Sequence, residues 1–144
     1  MNVAEGQLSS RFTEIVTEER IRLFRQAVGA EPSPAAPPTF LTVFRAGEFQ
    51  LFEKMGVKLS SVLHGEQQYS YSAEIRIRDE VSFQTKLSSV LEKKGSSGRL
   101  LFLVFETEID VSAPSPRRAG TSRTTVIVRE KAGEQAGEQA GEQK

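Results

Sequence analysis

"TFLTVFRAGEFQLFEKM", Thr39 to Met55, decides how the rest of the chain must be arranged. At 100° per residue, Phe40, Val43, Phe44, Gly47, Leu51, Phe52 and Met55 share one broad helical face. Thr42, Arg45, Gln50 and Glu53 lie mostly opposite. The spacing predicts a single, heavily buried helix. Gly47 within the apolar face would allow close backbone approach, and Gly56 supplies the stop.

Downstream the period changes from helical to two. Tyr69, Tyr71, Ala73, Ile75 and Ile77 alternate with Gln68, Ser70, Ser72, Glu74, Arg76 and Arg78, predicting a long half-buried strand turned by "RDE". Val81, Phe83, Thr85 and Leu87 continue the alternation, and "KKGSSG" reads as a hairpin connection. "RLLFLVFETEIDV" (Arg99–Val111) and "RTTVIVRE" (Arg123–Glu130) are two further strands. Between them "SAPSPRRAGTS", Ser112–Ser122, reads as a loop by its proline, glycine and serine content.

Upstream, "FTEIV" is a short strand-like run. Thr17 then caps an amphipathic helix, with Glu18 and Glu19 in its first turn, where the helix dipole favours negative charge. Ile21, Phe24, Ala27 and Val28 form its apolar side, and Gly29 ends it. "AEPSPAAPP" excludes helix and central strand. Its PxxP, Pro34 to Pro37, is read as part of a rigid loop in preference to a docking peptide. An antiparallel sheet with one polar face must cover the other, and the phenylalanine-rich helix is the available cover. The predicted class is α+β, an antiparallel sheet wrapped around a central helix. It occupies residues 11–130, between a polar N-terminus (1–10) and a low-complexity tail (131–144) of "AGEQ" repeats, both expected to be disordered.

The chain has 144 residues, enough for one domain with a real core. Nineteen basic residues balance 19 acidic ones, so no strong field favours nucleic acid or an anionic membrane. The absence of cysteine excludes a disulfide scaffold and thiolate metal sites. No run is apolar for long enough to span a bilayer, and the N-terminus lacks a signal core, so a cytoplasmic location is expected. His64 is the one histidine, set in "LHGEQQYSY" at the entry to a strand. A lone imidazole leaves little scope for a Ser-His-Asp triad, and no G-x-S-x-G is present.

Three stretches together, "APPTF" (Ala36–Phe40), "LHGEQQYSY" (Leu63–Tyr71) and "IRIRDEVSF" (Ile75–Phe83), resemble the hot-dog fold in its MaoC-like form. The nearest likeness is to the N-terminal MaoC-like, or FAS1-like, dehydratase domain. "IRIRDEVSF" is similar to the family's "rP.-.GDe." signature, with its proline and glycine replaced. The resemblance implies dehydration of (3R)-hydroxyacyl thioesters, or hydration of enoyl thioesters, carried on CoA or acyl carrier protein. It implies no cofactor or metal, and pairing of hot-dog domains into dimers, some with one catalytic and one channel-shaping subunit.

Reversible dehydration needs a proton-transfer pair and donors for an enolate-like thioester oxygen. Catalytic MaoC-like domains carry the pair in a "D-x-N-P-x-H" loop. The corresponding stretch here, "GAEPSPAAPPTF", has no histidine or aspartate, and Glu31 stands nearest the aspartate position. The resemblance also puts His64 too far along the chain to be the family's catalytic histidine. The N-terminus of the buried helix offers the amides of Thr39, Phe40 and Leu41 to a thioester oxygen. Glu48, about 80° round from Phe40 on the edge of the apolar face, is the base that a hot-dog thioesterase would use. The leading expectation is an acyl-binding or structural subunit that needs a catalytic MaoC-like partner. The alternatives are a thioesterase using Glu48 and a non-enzymatic acyl-thioester-binding homodimer.

Overall fold

A computed structural model describes residues 3–96 and 98–131. The elements run β1 (Phe12–Ile15), α1 (Glu18–Ala27), a 3-10 helix (Pro38–Val43), α2 (Ala46–Met55), a 3-10 turn (Leu59–Ser61), β2 (Val62–Tyr71), β3 (Glu80–Gly95), β4 (Gly98–Ala113) and β5 (Arg117–Lys131). The five strands form one antiparallel sheet in the order β1-β3-β4-β5-β2. Its inner face receives α2 and the 3-10 helix, the arrangement of a hot-dog fold.

The helix predicted over Thr39–Met55 is in fact two. The 3-10 helix starts on Pro38 and ends at Val43; Phe44 and Arg45 then leave helical geometry before α2 begins. The break lets each half aim its apolar side at a different part of the twisted sheet. Phe40, Leu41 and Phe44 pack with Val81, Phe83 and Ile109 in one cluster. Leu51, Phe52 and Met55 pack with Leu87, Leu103 and Phe105 in a second. Edge-to-face contacts run through both, Phe40 with Phe44 at 5.7 Å and Phe52 with Phe105 at 5.1 Å. Met55 is followed by Gly56 at φ 72, the left-handed cap that the sequence predicts. Thr17 caps α1 by accepting from the Arg20 amide, and Phe24 meets Phe40 edge to face.

Three sequence expectations need correction. The strand predicted over Gln68–Arg78 begins earlier, at Val62, and ends at Tyr71. Beyond it the Ser72 and Ala73 amides both turn to the Ala119 carbonyl, and Ile75 and Ile77 bond to the proline loop instead of to β5. The loop predicted over Ser112–Ser122 is mostly strand, with only Pro114–Pro116 between β4 and β5. Arg118 is held to Asp110 across that pair, and Gly120 allows β2 close, so local composition yields to ladder pairing. The disorder expected of residues 1–10 does not hold for 3–10. Gly6 and Ser9 donate to the Leu87 and Thr85 carbonyls, Leu87 donates back to Gln7, and Ser9 is buried. That segment pairs along β3 where the short β1 leaves its edge open. The "AGEQ" repeats, 132–143, lie outside the described residues.

Candidate functional site

The two apolar clusters are separated by a polar belt. Thr85, Thr107, Ser122 and Thr124 are all buried on the inner face of β3, β4 and β5. Thr85 and Thr107 share a hydrogen bond of 2.7 Å, and the Ser9 hydroxyl accepts from the Thr85 amide. The first turn of α2 lies on this belt. A Cβ on Gly47 would stand 2.3 Å from Thr85 Oγ1, so only glycine lets the helix approach so near.

Glu48 follows one residue later and is 2 % exposed. Its Oε1 accepts from Arg45 Nη2 at 2.7 Å and from Nε at 3.3 Å. Its Oε2 lies 2.8 Å from Thr124 Oγ1, which also lies 3.0 Å from Gln67 Oε1. One hydroxyl proton serves two acceptors, so Thr124 stands between the carboxylate and the amide. Gln67 Nε2 donates to Ser122 Oγ and the Arg123 carbonyl, which assigns its oxygen to the other side. That oxygen lies 3.1 Å from His64 Nε2.

Residues three apart in a strand ordinarily face opposite ways. The register shift between His64 and Glu66 inserts Gly65 as an extra residue and returns His64 and Gln67 to one side. The structure thus brings His64 and Glu48 to the two ends of one polar chain, through Gln67 and Thr124. Sequence reasoning missed both links. Their signal was a polar Thr124 on the inner face beside Val126 and Val128, and a glutamine three beyond the histidine. His64 is exposed on β2, whose outer edge carries no strand among the described residues. Glu48 has both oxygens occupied and almost no solvent contact, so it anchors α2 to the belt and is poorly placed to activate water.

Glu31 is elsewhere, exposed on the proline loop. Arg25 pins that loop, donating to the carbonyls of Glu31 and Ala35 at 2.5 and 2.8 Å. Between the loop and α1 opens a cavity of about 850 Å³, with Glu18, Arg22, Arg25, Gln26, Ser33 and Ile77 among its lining. That volume falls within the usual range of ligand sites. The lining contains neither histidine nor aspartate.

The expected amide donors need revision as well. Phe40 N–H is used by the Pro37 carbonyl at 2.9 Å, and Phe40 and Leu41 are buried in the core. Thr39 alone of the three is at the surface. The 3-10 segment is too short for the helix-end field that a long helix supplies.

The "IRIRDE" turn is built around Asp79, 4 % exposed. Its Oδ2 accepts from the Arg76 amide and from Arg117 Nη2, each at 2.8 Å. Arg78 takes φ 73, a left-handed conformation natural to glycine, and its amide donates to the Val16 carbonyl. The turn therefore keeps a glycine-type backbone although arginine fills the position.

Residues 4–113 match the family model of the FAS1-like, dehydratase domain region. Relatives include a UPF0336 protein of Streptomyces griseus, 32% identical over 99 residues, covering 56% of this chain and 66% of that protein. A UPF0336 protein of Thermobifida fusca is 28% identical over 136 residues, covering 81% and 85%. The chain thus spans slightly less than two thirds of its Streptomyces relatives. Among solved structures, the C-terminally truncated HadBC (3R-hydroxyacyl-ACP dehydratase) complex of Mycobacterium tuberculosis is similar at a TM-score of 0.68, with 16% identity over 88% of this chain and 99% of that one. A protein described as a MaoC-like dehydratase reaches 0.69, with 20% identity over 90% and 43%. The matched region ends with β4, and β5 completes the sheet from inside the same architecture. With its sequence matched over most of its length and its sheet and helix arranged as in those dehydratases, the chain belongs to the FAS1-like dehydratase domain family and has the MaoC-like hot-dog fold.

Proposed function

We propose that this protein is an acyl-thioester-binding subunit of a (3R)-hydroxyacyl-thioester dehydratase, one that requires a second MaoC-like chain for catalysis. One observation carries the reading: a ligand-sized cavity beside the proline loop, with no imidazole–carboxylate pair in its lining. Such a site holds an acyl group on the apolar stems of its side chains and orients it through Arg22, without moving a proton. The similar HadBC structure is described as a (3R)-hydroxyacyl-ACP dehydratase complex, which supports a reading in which chains act together. β2 supplies the surface for a partner: its outer edge is open among the described residues, and Leu63 and Tyr71 are exposed along it.

The test is hydration of crotonyl-CoA, and of the same acyl group on a carrier protein, by this chain alone and by this chain with a catalytic MaoC-like subunit. Activity only in the mixture, with co-elution of the two chains, is the expected result. Hydration by the purified chain alone would overturn the non-catalytic assignment. Hydrolysis of acyl-CoA abolished by Glu48→Gln would replace it with the thioesterase reading. Binding of acyl thioester by a self-paired chain that accepts no partner would replace it with the homodimer reading.

A further inference from the structure

At the end of the sheet remote from the α1 cavity, β3 and β4 close their hairpin beside the last residues of β5. Lys93, Lys94, Arg99, Leu100 and Arg129 surround a cavity of about 150 Å³ there. Glu92 takes up Arg99 at 2.7 Å. Lys94 and Arg129 make no ion pair among the described residues, and the Lys93 ammonium lies over the Phe102 ring at 5.1 Å.

The register puts an apolar row next to these cations. Leu91, Phe102, Ile127 and Leu63 stand opposite one another across β3, β4, β5 and β2. Leu91 and Leu63 are exposed, and Phe102 and Ile127 are half-buried. Lys93, Leu100 and Arg129 form the next row on the same side, two residues along. That step is about 7 Å, and residues two apart share a face. The other half of this face differs. There Lys86 is opposite Glu106, and Glu106 lies 3.8 Å from Arg123, so bases are matched by acids as on an ordinary solvated surface. Only the hairpin end sets unmatched cations beside a flat apolar strip. A ligand that uses both rows has to carry phosphate-like charge at one end and a planar, weakly polar group a few ångströms away.

We propose that this face binds a mononucleotide, its phosphates held by Lys93 and Arg129 and its base laid on Leu91, Phe102 and Ile127. Lys93 acts as a point charge and Arg129 as a planar fork, while the apolar row gives the base a stacking surface. The site stands at the opposite end of the sheet from the acyl cavity and does not depend on the acyl-binding reading.

Titration calorimetry of the full chain with ADP, at low and at physiological salt, tests it. Saturable binding is expected, weaker at high salt, and weaker still for inorganic pyrophosphate, which lacks the base. Lys93→Ala with Arg129→Gln is expected to weaken ADP at least tenfold, and Leu91→Ser severalfold, with thermal unfolding unchanged because these side chains are exposed. Arg129→Gln alone provides a separate cation deletion if the double variant loses its fold. Absence of saturation, or binding indifferent to the cation variants, would refute the site. Equal affinity for pyrophosphate and ADP would refute the base half.

Discussion

Gly120→Ala isolates the contact that lets β2 close onto β5. The added Cβ would lie 2.3 Å from the Ser70 carbonyl oxygen and 2.9 Å from Leu41 Cδ1. Leu41 has a rotamer to give, but the Ser70 oxygen is backbone, and ordinary carbon–oxygen contacts are about 3.3 Å or longer. Relief therefore needs about 1 Å of strand displacement, next to the Ser72 and Ala73 amides that bond to the Ala119 carbonyl. Overpacking of this kind costs about 1–3 kcal/mol, and each weakened hydrogen bond about 1 kcal/mol. Replacing glycine by alanine returns about 0.4–1 kcal/mol through the unfolded chain. The net expectation is destabilisation of about 2–4 kcal/mol, read as a lower urea midpoint at unchanged slope. Gly65→Ala is the control, since its Cβ meets the Thr125 carbonyl at 3.3 Å and the Ile127 side chain at 3.6 Å or beyond and should change stability by about 0.5 kcal/mol or less. If Gly120→Ala is as stable as Gly65→Ala, the close approach of β2 is not a steric requirement and the reasoning fails.

Arg78→Gly should stabilise the protein by up to about 1 kcal/mol, because relief of a left-handed φ outweighs glycine's extra freedom when unfolded; urea unfolding of Arg78→Gly beside Arg78→Val, which should destabilise, checks the sign. The polar chain should show a gradient. Glu48→Ala empties a buried position, takes the carboxylate from Arg45 and leaves Thr124 bonded to Gln67 alone, and should cost about 1–3 kcal/mol, whereas His64→Ala at the exposed end should cost under about 0.5 kcal/mol. Equal effects on thermal unfolding would deny that the chain is anchored at Glu48. The hydrogen bond from Arg99, helped by the charges of Arg99 and Lys94, holds the Glu92 carboxyl below the usual glutamate range. Its folded value lies below its unfolded one, so its contribution to stability is present above the unfolded glutamate value and is lost as pH falls through the folded one. NMR titration should show Glu92 returning toward the ordinary range in Arg99→Ala, and no movement would remove Arg99 as the cause.

The sequence by itself determined the class of fold and the order of its elements. Period-two alternation and a phenylalanine-rich helical face are local consequences of which side of each element is buried, and they survive without coordinates. The loop lacking histidine and aspartate was equally legible, since composition needs no geometry. Tertiary structure alone decided the break at Phe44–Arg45, because one straight helix cannot fill two clusters on a twisted sheet. It turned Ser112–Ser122 into strand against its composition, since backbone groups beside a central ladder must pair. The link from His64 to Glu48 was hidden for a different reason. It crosses from α2 to β5 to β2, joining residues 76 and 57 apart in the chain, and it depends on a one-residue bulge at Gly65. Patterns within an element predict which way a side chain points; which polar groups meet is fixed only when the register brings their strands together.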